Sequence, residues 1–335
     1  MDDSARRSAG NGGEPAAATK SIAATETLAH HDRRLILFGA LTQAEFQNLV
    51  RVRCLPEVAK DIEGLLSDWR RAASEFQALV LQKSPLPEDA QSVDVNGSSV
   101  PIIRRLEADP LFKATFSQHQ YSYRLVEIDK LVAGQREVDL GHVERLIAGF
   151  GKEMDESKLA EVCLSPRAEL PAPVFQQLSY NAIVYSSTHP GLRFLHGFPK
   201  PALVEGDFSL ALAGGQPVAA VLMFVGFGTN PVNVFAVGRR LILNNGFHRA
   251  YALRTFGATH IPAVVQDIRS PELEMPDVIA GLPKEYLVSH PRPALVGDFF
   301  RSGLTTVLRT KPTIRHVKLV WNWEEFNGPA IVPGS

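Results

Sequence analysis

The sequence predicts an α/β protein: a small mixed β-sheet with flanking helices, an N-terminal helical segment and a β-rich insertion. Three observations carry that prediction. The short apolar run 241–243 is broken by the turn residues Asn244, Asn245 and Gly246, after which Ala250, Leu253 and Phe256 recur at helical spacing. Gly257 then stands where a helix stop belongs, and the apolar run 261–265 follows, so the unit reads as strand, glycine turn, helix, strand. Elsewhere, an amphipathic stripe over 57–83 marks a long helix, while short apolar runs between 181 and 237 are separated by Gly-, Asn- and Pro-containing turns, as strands are.

Taken in order, residues 1–30 are rich in Ala, Ser and Gly and read as a disordered tail. Residues 31–120 form the helical segment. Within it 33–38 reads as a strand, and Thr42 with Glu45 is a capping box opening a helix over 43–51. Val58, Ile62, Leu65, Trp69, Ala72, Phe76 and Val80 line one face of the 57–83 helix. That stripe needs cover, either from the α/β domain or from a second subunit in a homodimer. Residues 103–116 read as a helix interrupted at Pro110. The central domain spans 121–270 and contains the insertion at about 163–230, whose strand candidates are 181–185, 192–195, 208–212 and 218–225. In the β-containing extension over 271–335, residues 305–308 and 314–320 alternate as strands do, and Trp321 and Trp323 fall on one strand face.

Composition narrows the function. The 335 residues, 45% of them hydrophobic, suffice for one large or two modest domains. A net charge of −1 provides no basic field for coating nucleic acid, which argues against DNA as the partner. Cys54 and Cys163 form no CxxC pair and point to a reducing, cytoplasmic setting. No apolar run has the length of a membrane span.

The glycine turn has chemical consequences. The first amides of a helix lack intrahelical partners and the macrodipole is positive there, so the turn is suited to an anion. Gly246 allows close approach to the backbone, Arg249 offers a planar fork for phosphate oxygens, and His248 can donate a hydrogen bond or shuttle a proton. The plainer reading is a tight turn whose polar residues only start the helix. His189, His196, His248 and His260 lack metal-ligand spacing, so no metal site is expected.

Asn245-Gly246-Phe247-His248-Arg249-Ala250-Tyr251-Ala252-Leu253, with Gly257 and Ile261-Pro262-Ala263-Val264 behind it, resembles the Gly-x-(His/Arg)-Arg core of the ParB/sulfiredoxin superfamily. Tyr123-Arg124-Leu125-Val126-Glu127-Ile128-Asp129-Lys130-Leu131 resembles the family's opening strand and turn, Gln135-Arg136 its Gln-Pro-Arg element, and 138–150 the helix that follows. Phe247 stands where sulfiredoxin has its cysteine, so sulfinic acid repair is not implied, and no helix-turn-helix follows residue 270 as in partition proteins. The resemblance implies a nucleotide-binding protein in which Gln135, Arg136, Asn245, Gly246, His248 and Arg249 hold the phosphates of ATP, ADP or CTP, with or without Mg2+. Because the superfamily includes a free serine kinase, it also implies a phosphotransferase or nucleotide hydrolase acting on a small-molecule acceptor, with Glu137, Asp139 and His248 as candidate catalytic residues. The alternative it implies is a non-catalytic nucleotide-sensing or DNA-associated module. Read without the family, 135–139 is a polar loop whose Asp139 caps the next helix.

Overall fold

Local signals set the first elements. In the computed structural model, which describes residues 32–325 and 328 apart from 84–85, 118–119, 166–169, 171, 190, 203–217 and 229, strand β1 (Asp32–Ile36) leads to helix α1 (Gln43–Asn48). Helix α1 opens on the capping box: the Thr42 hydroxyl accepts from the Glu45 amide and the Glu45 carboxylate accepts from the Thr42 amide. The tail 1–30 and the strand candidate 208–212 lie outside the described residues.

The single long helix expected over 57–83 is two. A turn, α2 (Pro56–Ala59), is followed by α3 (Ile62–Gln82), because Asp61 leaves helical geometry and its carboxylate caps the Gly64 amide. An edge strand β2 (Ser92–Asp94) precedes helices α4 (Val100–Ala108) and α5 (Pro110–Phe116), divided at Pro110 as its missing amide requires. Strands β3 (Tyr121–Glu127), β4 (Val132–Ala133) and β5 (Glu137–Asp139) come next, then α6 (Leu140–Phe150) and α7 (Glu156–Leu164). Helix α7 falls in a charged stretch and was not expected; Asp155 caps it by accepting from the Lys158 amide.

The insertion contributes β6 (Val174–Ser179), β7 (Ala182–Ser187), β8 (Leu192–Lys200) and β9 (Ala220–Phe227). Strands β10 (Asn233–Val237) and β11 (Arg240–Asn245), helix α8 (Phe247–Phe256) and strand β12 (His260–Ile268) complete the central region. The extension holds the single turn α9 (Pro271–Glu274), the hairpin β13 (Val278–Ile279) and β14 (Leu282–Pro283), helix α10 (Lys284–Ser289), then β15 (Thr306–Thr310) and β16 (Arg315–Val320). The strand stops at Val320 and does not carry Trp321 and Trp323. Its partner β7 starts at Ala182, so beyond the Trp321 amide, which donates to the Asn181 carbonyl, no strand of the described residues lies opposite.

The central sheet is mixed and six-stranded, in the order β2-β3-β12-β10-β11-β4. Strand β10 runs parallel to β12 and β11 parallel to β4, while the remaining pairs are antiparallel. Both faces are covered, as the alternation of side chains along β11 shows. Leu241 and Leu243 join the main core with Phe112, Val126, Val143 and Ala250, whereas Ile242 joins a second cluster with Phe235 of β10 and with Ile279, Leu287 and Leu295 from the extension.

A second sheet, β15-β1-β5, takes one strand from each of the three segments that the sequence separates at 120 and 270. From Asp32 onward the chain is therefore one compact unit. The α3 stripe packs within it: Leu65 and Ala72 join Ile36, Phe38, Phe46 and Leu308, and Trp69 stacks on Phe46 with centroids 5.5 Å apart. The chain itself thus covers much of that stripe, while Ile62 near its start stays half-exposed. The insertion strands do not extend the central sheet but pair among themselves and with β16, as β16-β7-β6 and β8-β9. Among the described residues no helix is long and apolar enough to cross a membrane.

Candidate functional site

The sheet order explains how two distant sequence motifs meet. Strand β4 lies beside β11, with Val132 opposite Ile242 and Ala133 opposite Leu243. The segment 134–137 therefore leaves β4 next to the turn 244–246 that leaves β11. That turn needs Gly246: its φ is +95°, and a Cβ there would sit 2.8 Å from Val232 Cγ2. Behind it Phe247 is anchored edge-on to Phe299, centroids 5.1 Å apart. A buried amide network holds the strands just before the turn: Asn244 Nδ2 donates to Asn233 Oδ1 at 2.7 Å, and Asn233 Nδ2 donates to Gln266 Oε1 at 2.9 Å.

A cavity of about 1590 Å³ opens at this junction, walled by β1, the 134–137 segment, the first turn of α8, the β13–β14 hairpin and the near ends of β8, β9 and β16. Gln135, Arg136, Glu137, Asn245, Gly246, His248 and Arg249 all line it; Asp139 does not. Among the described residues six arginines line it as well (Arg34, Arg53, Arg136, Arg193, Arg249 and Arg315), against two carboxylates, Glu45 and Glu137. In a chain with a net charge of −1 this is a local concentration of positive charge. Among the described residues no three His, Cys, Asp or Glu side chains gather as a metal site requires.

Several of the expected site residues are engaged by the protein itself. Glu137 forms a fork with Arg53, at 2.6 and 2.8 Å. Asp139 Oδ1 accepts from the His142 amide at 2.9 Å, capping α6, and the other carboxylate oxygen pairs with Arg34 at 3.2 Å. Gln135 Nε2 donates to the Glu137 carbonyl, and Asn245 Nδ2 to the Pro231 carbonyl at 3.0 Å. Arg136 pairs with Glu45 and lies over the Tyr286 ring, and its buried Nε–H has no partner among the described residues.

His248 accepts a hydrogen bond at Nε2 from the Asp139 amide, 3.1 Å away, which fixes the proton of the neutral ring on Nδ1. Burial, reinforced by the neighbouring His142 ring, pushes its pKa down to about 4. Burial lowers the pKa of His142 and of His189 as well.

Arg249 has partners that its motif does not suggest. Its guanidinium donates to the carbonyls of Val162, at 3.2 Å, and Asn230, the two ends of the insertion. The Val232 amide, donating to the Cys163 carbonyl at 2.7 Å, draws the same ends together. Arg249 is thus a clasp across the base of the insertion, only 9% exposed. Cys163 beside it is sealed in the core, and burial pushes its thiol up to about 12, so it is an inert packing residue.

The sequence did not single out Arg34, Arg53, Arg193, Arg315 or the Asn233 network. Arg193 carried the one local signal, a charge directly after Leu192 in an apolar strand. The others reach the site only through pairing between residues far apart in the chain. No family model, curated protein or solved structure matches the chain.

Proposed function

We propose that the protein binds a nucleotide in this cavity, with phosphates held by Arg136 and its neighbouring arginines and by the first amides of α8. The supporting observation is the arginine-rich cavity that collects the 134–137 segment and the Gly246 turn at one place. The turn's resemblance to the ParB/sulfiredoxin motif supports the same reading. Helix α8 begins without a side-chain cap, so its first amides are oriented for an anion. Arg136 brings a planar guanidinium to the cavity wall.

Of the two readings open at the sequence level, binding without phosphoryl transfer is the better supported. A general base must be free to reach the proton it takes and have a matched pKa. Glu137 is forked to Arg53, Asp139 caps a helix, and His248 spends its lone pair on a backbone amide. A ligand-sensing role fits these engaged groups, with the insertion forming part of the wall.

Calorimetric titration of the full chain with ATP, ADP and CTP, with and without Mg2+, tests this. We expect binding of at least one nucleotide, weakened about ten- to a hundredfold by Arg136→Gln, and no phosphate release above the protein-free rate. Failure of all three nucleotides to bind removes the nucleotide assignment, and steady phosphate release removes the non-catalytic one.

A further inference from the structure

Two of the six cavity arginines differ from the rest in what they touch. Arg34, Arg53 and Arg136 each face a carboxylate, and Arg249 is occupied by carbonyls. The Arg193 side chain, near the start of β8, makes no ion pair or hydrogen bond with the described residues. Its guanidinium lies across Gly228, where a Cβ would collide with Nη2. Arg315, the first residue of β16, donates from Nε to the Leu192 carbonyl at 3.1 Å. That bond brings Arg315 to the residue preceding Arg193 and leaves its two Nη groups without an acceptor among the described residues. Both side chains line the cavity. The surrounding protein also strips water from Arg193 and lowers its pKa, although the residue remains open to the cavity.

Each of these guanidiniums lies on the cavity wall without a counter-charge among the described residues, and partial loss of water from Arg193 adds to the cost of leaving its charge unpaired. An oxyanion removes it, because the planar forks of two arginines match the paired oxygens of a phosphate or carboxylate. We propose that Arg193 and Arg315 form an oxyanion subsite on the insertion wall of the cavity, which takes one phosphate or carboxylate group of the bound ligand. The identity of the rest of that ligand rests on the nucleotide reading above. Gly228 is part of this subsite, since only a residue without a side chain lets Arg193 lie where it does. The insertion would thereby contribute recognition as well as enclosure.

The test is arginine-directed labelling of the full chain with phenylglyoxal, read residue by residue by peptide mass spectrometry. It is run alone and with inorganic pyrophosphate, citrate or ATP. We expect Arg193 and Arg315 to label ahead of the carboxylate-paired Arg34, Arg53 and Arg136. Saturating anion should slow both by about tenfold or more, and whether pyrophosphate or citrate protects identifies the group recognised. Gly228→Ala, which displaces the guanidinium without touching the core, should weaken that protection as Arg193→Gln weakens anion affinity. If pyrophosphate, citrate and ATP all leave the labelling of Arg193 and Arg315 unchanged in folded protein, the subsite is refuted. Protection by pyrophosphate without any effect of ATP upholds the subsite and removes the nucleotide reading. Protection by ATP of Arg136 alone does the reverse.

Discussion

His248 carries a half-buried imidazole into the cavity wall on the first turn of α8 and keeps it neutral there, with a pKa of about 4 against 6.5 for the free side chain. Between those values the unfolded chain binds the additional proton, so this site's stability is complete above pH 6.5 and is lost as pH falls towards 4. For one such group the loss is about 3 kcal/mol. His142 and His189 are shifted the same way by burial and steepen the slope. Urea midpoints of wild type and His248→Gln at neutral and mildly acidic pH measure this: the variant should lose less stability on acidification. Arg249 gives the second residue-scale prediction. As a clasp on carbonyls, its replacement in Arg249→Ala should cost about 2–4 kcal/mol in denaturant unfolding and open the insertion's ends near Ser165 and Asn230 to limited proteolysis. A variant of wild-type stability that has lost only ligand would return Arg249 to the phosphate role its motif suggests. The motif located this residue but not its task, because backbone carbonyls carry no side-chain signature that would identify them as partners.

At the scale of elements, the packing of α3 against α1 and β1 turns on Phe46, which is 1% exposed, stacked on Trp69 and edge-on to Phe38. Phe46→Ala should cost about 3–5 kcal/mol, read as a lower thermal midpoint. For α8, Gly246→Ala forces a side chain into a left-handed conformation at about 1–2 kcal/mol, before counting the collision with Val232. The variant should be less stable than wild type and should bind nucleotide more weakly, because the turn that orients the first amides is displaced. Elements with a local cause were legible in the sequence: the Thr42–Glu45 box, the division at Pro110, the Gly246 turn and the Gly257 stop. The break at Asp61 was hidden because the apolar stripe runs straight through it. The end of β16 was hidden for another reason: alternation continues into Trp323, but whether a strand pairs depends on where its neighbour begins.

At the scale of the molecule, the pairing β15-β1-β5 makes the segments before 120 and after 270 parts of one structure. A chain ending at residue 270 loses β15, the Leu308 contact in the α3 core and the Leu287 and Leu295 cover of the central sheet. We expect it to lack a cooperative unfolding transition by circular dichroism, whereas three independently folding segments would leave that transition in place. None of this pairing was visible in the sequence, since β1 and β15 are short strands whose apolar alternation fits many partners. The register, with Asp32 opposite Thr310 and Ile36 opposite both Glu137 and Thr306, has a further consequence during synthesis. Strand β1 can meet β5 after roughly 100 further residues of synthesis, but β15 only after roughly 270. At typical translation rates that second wait lasts about 15 to 60 seconds. Throughout it one edge of β1 stands open to other nascent chains and to chaperones, so the yield of this protein in a cell depends on how β1 is sheltered until β15 is made.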